Sequence, residues 1–73
     1  MDLRTLAKLI SLKAGDLADL DEILRQYGLS LEFNEKVKLA EMLSHDFYII
    51  YDIVADRFIL RRAPAAAGTE SRG

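Results

Sequence analysis

Apolar residues recur along this chain at two different periods, and the change of period marks out its elements. Leu3, Leu6, Ala7, Ile10 and Ala14 fall within about a 100° arc at helical spacing, which predicts a helix over residues 3–14. Leu9 and Leu12 lie outside that arc, on a neighbouring face. Gly15 is placed to supply the left-handed residue that ends a helix. A second helix opens at Asp16 or at Asp19, the latter with Glu22 three positions on in capping-box spacing. Leu17, Leu20, Ile23, Leu24 and Tyr27 form its apolar face and Gly28 its stop. Residues 29–33 alternate apolar and polar and predict a short strand or an extended linker. Asn34 is the expected N-cap of a third helix running to about Ser44. Its inner face is Phe33, Val37, Ala40 and Leu43, with Leu39 at the edge and Met42 pointing away.

Beyond residue 46 the period falls to two. Phe47 to Val54 is rich in β-branched and aromatic residues, as strands are. Arg57 to Arg62 forms a second strand after a turn around Ala55-Asp56. The expected register pairs Ile53 with Phe58 and Tyr51 with Leu60. Alternation then places Phe47, Ile49, Tyr51, Ile53, Phe58 and Leu60 on one face, the cover for the helices. The opposite face carries Tyr48, Ile50, Asp52, Val54, Arg57, Ile59 and Arg61, more apolar than most solvent faces. The fold class that follows is α+β: three short helices packed on a C-terminal antiparallel β-hairpin, with residues 29–33 as the candidate third strand. Residues 1–62 make one small domain. Residues 63–73, all small or polar, read as a disordered tail, because they cannot bury enough surface to offset their ordering entropy.

The chain has 73 residues, 51% hydrophobic and 30% charged, and no cysteine. That length permits one thin core, and the absence of cysteine excludes disulfide staples, thiol nucleophiles and Cys-based zinc sites. The net charge of −2 hides an asymmetry. Residues 14–35 hold six acids against Arg25 alone, whereas residues 57–62 hold three arginines and no acid. No stretch approaches the roughly 18 apolar residues of a membrane span, and the amino terminus lacks a secretory pattern. The expected location is the cytoplasm, with no membrane contact.

The residue types of catalysis are sparse. Ser44-His45-Asp46 has the composition of a hydrolase triad, but three adjacent side chains at a helix end diverge, whereas a triad must converge. The acids Asp16, Asp19, Asp21 and Glu22 lack the register of a calcium loop and are explained as helix caps. A lone histidine without cysteine gives no transition-metal set. The four glycines stand apart, so no phosphate loop is present. The expectation is a non-enzymatic protein with no cofactor.

Two binding readings remain. The first is an adaptor or inhibitor that docks on a larger cytosolic protein, such as a multi-subunit transcription enzyme. Its surface would comprise Tyr48, Ile50, Arg57, Ile59 and Arg61 on the hairpin, together with Leu9 and Leu12, a composition suited to interface cores. In the second, three helices followed by a hairpin resemble a winged-helix arrangement. The segment Leu20 to Leu43 partly resembles a helix-turn-helix, with Gly28-Leu29-Ser30 at the turn. Asn34 and Leu24 depart from that pattern, where an apolar and a small residue are usual. The resemblance implies DNA contact by Lys36, Lys38, Arg57, Arg61 and Arg62, which the overall acidity opposes.

Overall fold

The computed structural model describes residues 2–64. Elements follow in the order α1 (Leu3–Lys13), β1 (Leu17–Asp19), α2 (Leu20–Gln26), α3 (Phe33–Leu43), β2 (Phe47–Asp52) and β3 (Arg57–Arg62). The three strands form one antiparallel sheet in the order β1-β3-β2, so the last strand lies at its centre. The helices cover one face. Three short helices, a hairpin and a small strand inserted after α1 constitute a winged-helix-like arrangement. The expected tail falls mostly at residues 65–73, outside the described residues.

Local chemistry explains where each helix begins and ends. Asp2 caps α1, accepting from the Thr5 backbone N–H at 2.7 Å. The left-handed stop expected at Gly15 does not occur: Ala14 caps the helix in an extended conformation, and Gly28 is the glycine with positive φ. Arg62 replaces that stop. Its guanidinium donates to the carbonyls of Ser11 at 3.0 Å and Ala14 at 2.7 Å, groups that a helix end leaves without intrahelical partners. Of the two proposed starts for α2, Asp19 is the cap, accepting from the N–H groups of Asp21 and Glu22. The helix closes at Gly28 with φ +71°. Leu29 N–H reaches Leu24 C=O and Gly28 N–H reaches Arg25 C=O, the paired bonds of a Schellman stop.

Further expectations are corrected. The third strand is Leu17–Asp19, whereas residues 29–33 link two helices and then enter α3. Leu17 accordingly leaves the apolar face of α2 and is 69% exposed. The third helix is capped by Glu32 and begins at Phe33, ahead of Asn34, because Glu35 turns back to accept from the Glu32 N–H at 3.0 Å. Finally, the hairpin register is shifted by two residues: Tyr51 pairs with Phe58 and Ile49 with Leu60, while Ile53 moves into the loop. Asp52 accepts from Ala55 N–H, and Asp56 takes the left-handed conformation that aspartate tolerates. The shift is even, so every other strand residue keeps its face.

The core therefore resembles the expected one. Leu6 and Ile10 of α1, Leu20 and Leu24 of α2, and Leu39 and Leu43 of α3 close on Phe47, Phe58 and Leu60 of the sheet. Leu39 is fully buried at the centre, rather than at the edge as its helical phase suggested. Phe33 has correspondingly rotated outward, where it remains half exposed against the hairpin. Met42 packs against the core instead of pointing away.

Candidate functional site

The site begins with two acids at the start of α2. Asp21 accepts from Lys36 Nζ of α3 at 2.7 Å with one oxygen and from the Phe58 N–H of β3 at 3.1 Å with the other. Asp19 caps its own helix and pairs with Arg57 of β3. Burial opposes the charge on Asp19, but the Arg57 guanidinium and two backbone N–H groups outweigh it and hold the carboxyl below its ordinary range. These bonds fix α3 beside the hairpin. The acidic run is thus joined to the basic residues by specific bonds, a pairing the linear sequence does not display.

Alongside α3, the hairpin tip forms a wing. Phe33, Tyr51 and Phe58 make an aromatic cluster with ring centroids 4.9 to 5.7 Å apart. A cavity of about 270 Å³ between helix and hairpin is lined by Val37, Ala40, Glu41, Ser44, Ile49 and Phe58. Asn34, Glu35, Lys38 and Glu41 are exposed on α3. The loop presents Ile53 and Val54, the latter 97% exposed. This face therefore offers one cation, one amide and two carboxylates on the helix, beside aromatic and aliphatic groups.

Of the five basic residues selected from the sequence, three are engaged within the molecule. Lys36 is tied to Asp21 and Arg57 to Asp19. Arg62 faces the helices, with its guanidinium carbon 4.6 Å from the Phe47 ring centroid and its nitrogens on the α1 carbonyls. Lys38 and Arg61 make no ion pair among the described residues. They stand on different faces: Lys38 on the helical side, Arg61 on the outer face of the sheet.

The hairpin surface does assemble. Tyr48 and Ile50 are exposed, Ile59 lies between Asp19 and Ile50 in the ladder, and Arg61 lies between Leu17 and Tyr48. Leu17 belongs to this patch and was missed, because its own neighbourhood reads as helical. Leu9 and Leu12 are not brought to it. They remain on α1, and Leu12 borders a separate groove of about 540 Å³ with Arg4, Lys8, Met42 and His45.

At the end of α3, Ser44 Oγ donates to the Glu41 carbonyl, while Asp46 accepts from Ser11 Oγ at 2.6 Å. Each of these side chains is thus committed to a different neighbour. Among the described residues, no group of three or more His, Cys, Asp and Glu side chains is placed to hold a metal ion. No described helix is long and apolar enough to cross a membrane.

No family model, curated protein or solved structure matches the chain. Architecture and surface chemistry therefore carry the functional reading. The chain has a small α+β winged-helix-like fold, a format consistent with a DNA- or protein-binding regulatory domain.

Proposed function

We propose that the chain is a non-enzymatic, cytoplasmic regulatory domain of winged-helix type that contacts DNA through α3 and the wing. The observation that carries this reading is topological. The strand order β1-β3-β2 leaves β2 at the sheet edge, and its Tyr51, near the hairpin tip, packs on Phe33 at the start of α3, the helix that helix-turn-helix folds lay in the major groove. Asn34, in the first turn of α3, has a side chain suited to an adenine edge, and Lys38 one turn on suits a phosphate. With Lys36, Arg57 and Arg62 engaged internally, few phosphates are neutralised. Binding to short duplex DNA is therefore expected at low salt, with a shallow salt dependence. Lys38→Ala should weaken binding to all sequences alike and reduce the salt slope by about one. Fluorescence anisotropy with a labelled duplex measures both, and a flat titration at low salt would eliminate the reading.

One observation favours a second reading, docking on a larger protein such as a multi-subunit transcription enzyme. The outer sheet face collects Leu17, Tyr48, Ile50 and Ile59 around Arg61, a composition of interface cores. Affinity capture with Tyr48→Ala and Arg61→Ala tests it. Both variants should lose the partner while keeping the circular dichroism of the parent. Full capture by both would remove the face from consideration.

A further inference from the structure

β3 occupies the centre of the sheet, so β2 is left at an edge. Among the described residues, no second strand and no turn hydrogen bond engages the backbone of Phe47–Asp52 on the side away from β3. Natural edges are usually protected by a lysine, a proline, a bulge or an inward-pointing charge. Phe47–Asp52 contains no lysine and no proline, and its one charge is the terminal Asp52, on the outer face. Its pairing with β3 runs unbroken over six residues, so no bulge twists the edge away. Tyr48 and Ile50 are exposed on one side of this strand and Tyr51 on the other.

We propose that the β2 edge is a self-association site, where the β2 of a second copy of this chain pairs antiparallel about a two-fold axis at Ile50. The occupant follows from how the strand matches itself. With Ile50 opposite its counterpart, Ile49 meets Tyr51 and Tyr48 meets Asp52, so residues of the same sheet face come together on both sides. The inner-face contact extends the Phe33, Tyr51 and Phe58 cluster into the second copy. On the outer face a phenol donor lies beside a carboxylate acceptor. An axis at Ile49 would instead set Asp46 against Asp52, and directly opposed like charges destabilise a strand pair. Of the two axes that pair five residues of β2, charge therefore selects the one at Ile50. A strand-edge contact buries less than the roughly 1,200 Å² of a stable interface, so the dimer is weak and reversible. Nothing in this pairing depends on DNA contact.

Sedimentation equilibrium of the full chain across a concentration series tests the proposal. The expected result is a reversible rise from the monomer mass towards the dimer mass. Ile50→Lys places two ammonium groups across the axis and should hold the protein monomeric, with circular dichroism and melting temperature unchanged. Leu12→Lys, on the remote face of α1, should dimerise as the parent does. A monomer at every concentration overturns the proposal, as does a dimer that survives Ile50→Lys or one lost equally with Leu12→Lys. If Ile50→Lys fails to fold, an isotope-filtered NOE on a mixed-label parent sample decides: a contact between copies at Ile50 supports the pairing, and its absence overturns it. A monomer that still binds duplex DNA rejects the dimer alone, leaving the DNA reading intact.

Discussion

Arg61 and Arg62 are neighbours in the chain with opposite environments. Arg62 turns towards the helices, lies over the Phe47 ring and supplies donors to the last carbonyls of α1. Arg61 turns outward between Leu17 and Tyr48, with no ion-pair partner among the described residues. The same division runs along the whole sheet: Phe47, Phe58 and Leu60 are buried, while Tyr48 and Ile50 are exposed. A period of two thus sets the buried side chains of the sheet apart from Tyr48, Ile50 and Arg61, which are free to meet a partner. Residue type alone does not make this separation, since aromatic, aliphatic and arginine side chains occur on both faces.

The largest test of the division is at Phe47 and Tyr48. Phe47→Ala should cost about 3 to 5 kcal/mol by opening a cavity under Arg62, enough to leave so small a domain largely unfolded. Tyr48→Ala should remain within about 0.5 kcal/mol of the parent. Urea denaturation followed by circular dichroism compares them, and equal losses would break the two-face picture.

Next in size is the arginine pair. Arg62→Ala leaves the carbonyls at the end of α1 without their charged donor, and partial exposure limits the loss to roughly 1 to 2 kcal/mol. Arg61→Ala should leave the urea midpoint unmoved. Amide exchange would sharpen the result by showing faster opening of the last turn of α1 in the Arg62 variant alone.

The smallest expected effect is electrostatic and appears in acid. The Asp19 carboxyl titrates lower folded than unfolded, so its contribution is present above the unfolded value of about 3.8 and is lost as pH falls through the lower, folded one. Asp19→Asn keeps a good helix cap but removes the charge facing Arg57. Its stability should therefore vary less with pH across the acid range than the parent's, as read from urea midpoints between neutral and strongly acidic solution. An identical pH dependence in both proteins would show that the Asp19–Arg57 pair contributes nothing to the acid transition.

Much of the architecture is legible in the sequence. The stripe Leu6, Ala7 and Ile10, the cap at Asp19 as one of two options, the stop at Gly28 and the two-faced hairpin all rest on local rules of periodicity and capping. The failures at Leu17 and Arg62 share one cause, a partner distant in the chain. Leu17 looked helical because its spacing to Leu20 and Leu24 is helical, yet its backbone pairs with Arg61 far downstream. Arg62 looked like part of a basic patch because its partners, Ser11 and Ala14, lie at the other end of the chain. The wing register slipped by two because a hairpin without a glycine turn signal has no local feature to fix loop length.

The sequence by itself determined the helix stripes, the alternating faces of β2 and β3 and the scarcity of catalytic side chains, since each depends on residue type and short-range spacing. Tertiary structure alone decided that β3 is the central strand, that β1 exists and that Asp21 joins α2, α3 and the sheet. It also decided which cations are engaged and which strands lie at the sheet edges. Those are long-range choices: a backbone group or a carboxylate takes whichever partner folding brings within hydrogen-bond reach, and in this chain the partners of Asp21, Leu17 and Arg62 lie on other elements.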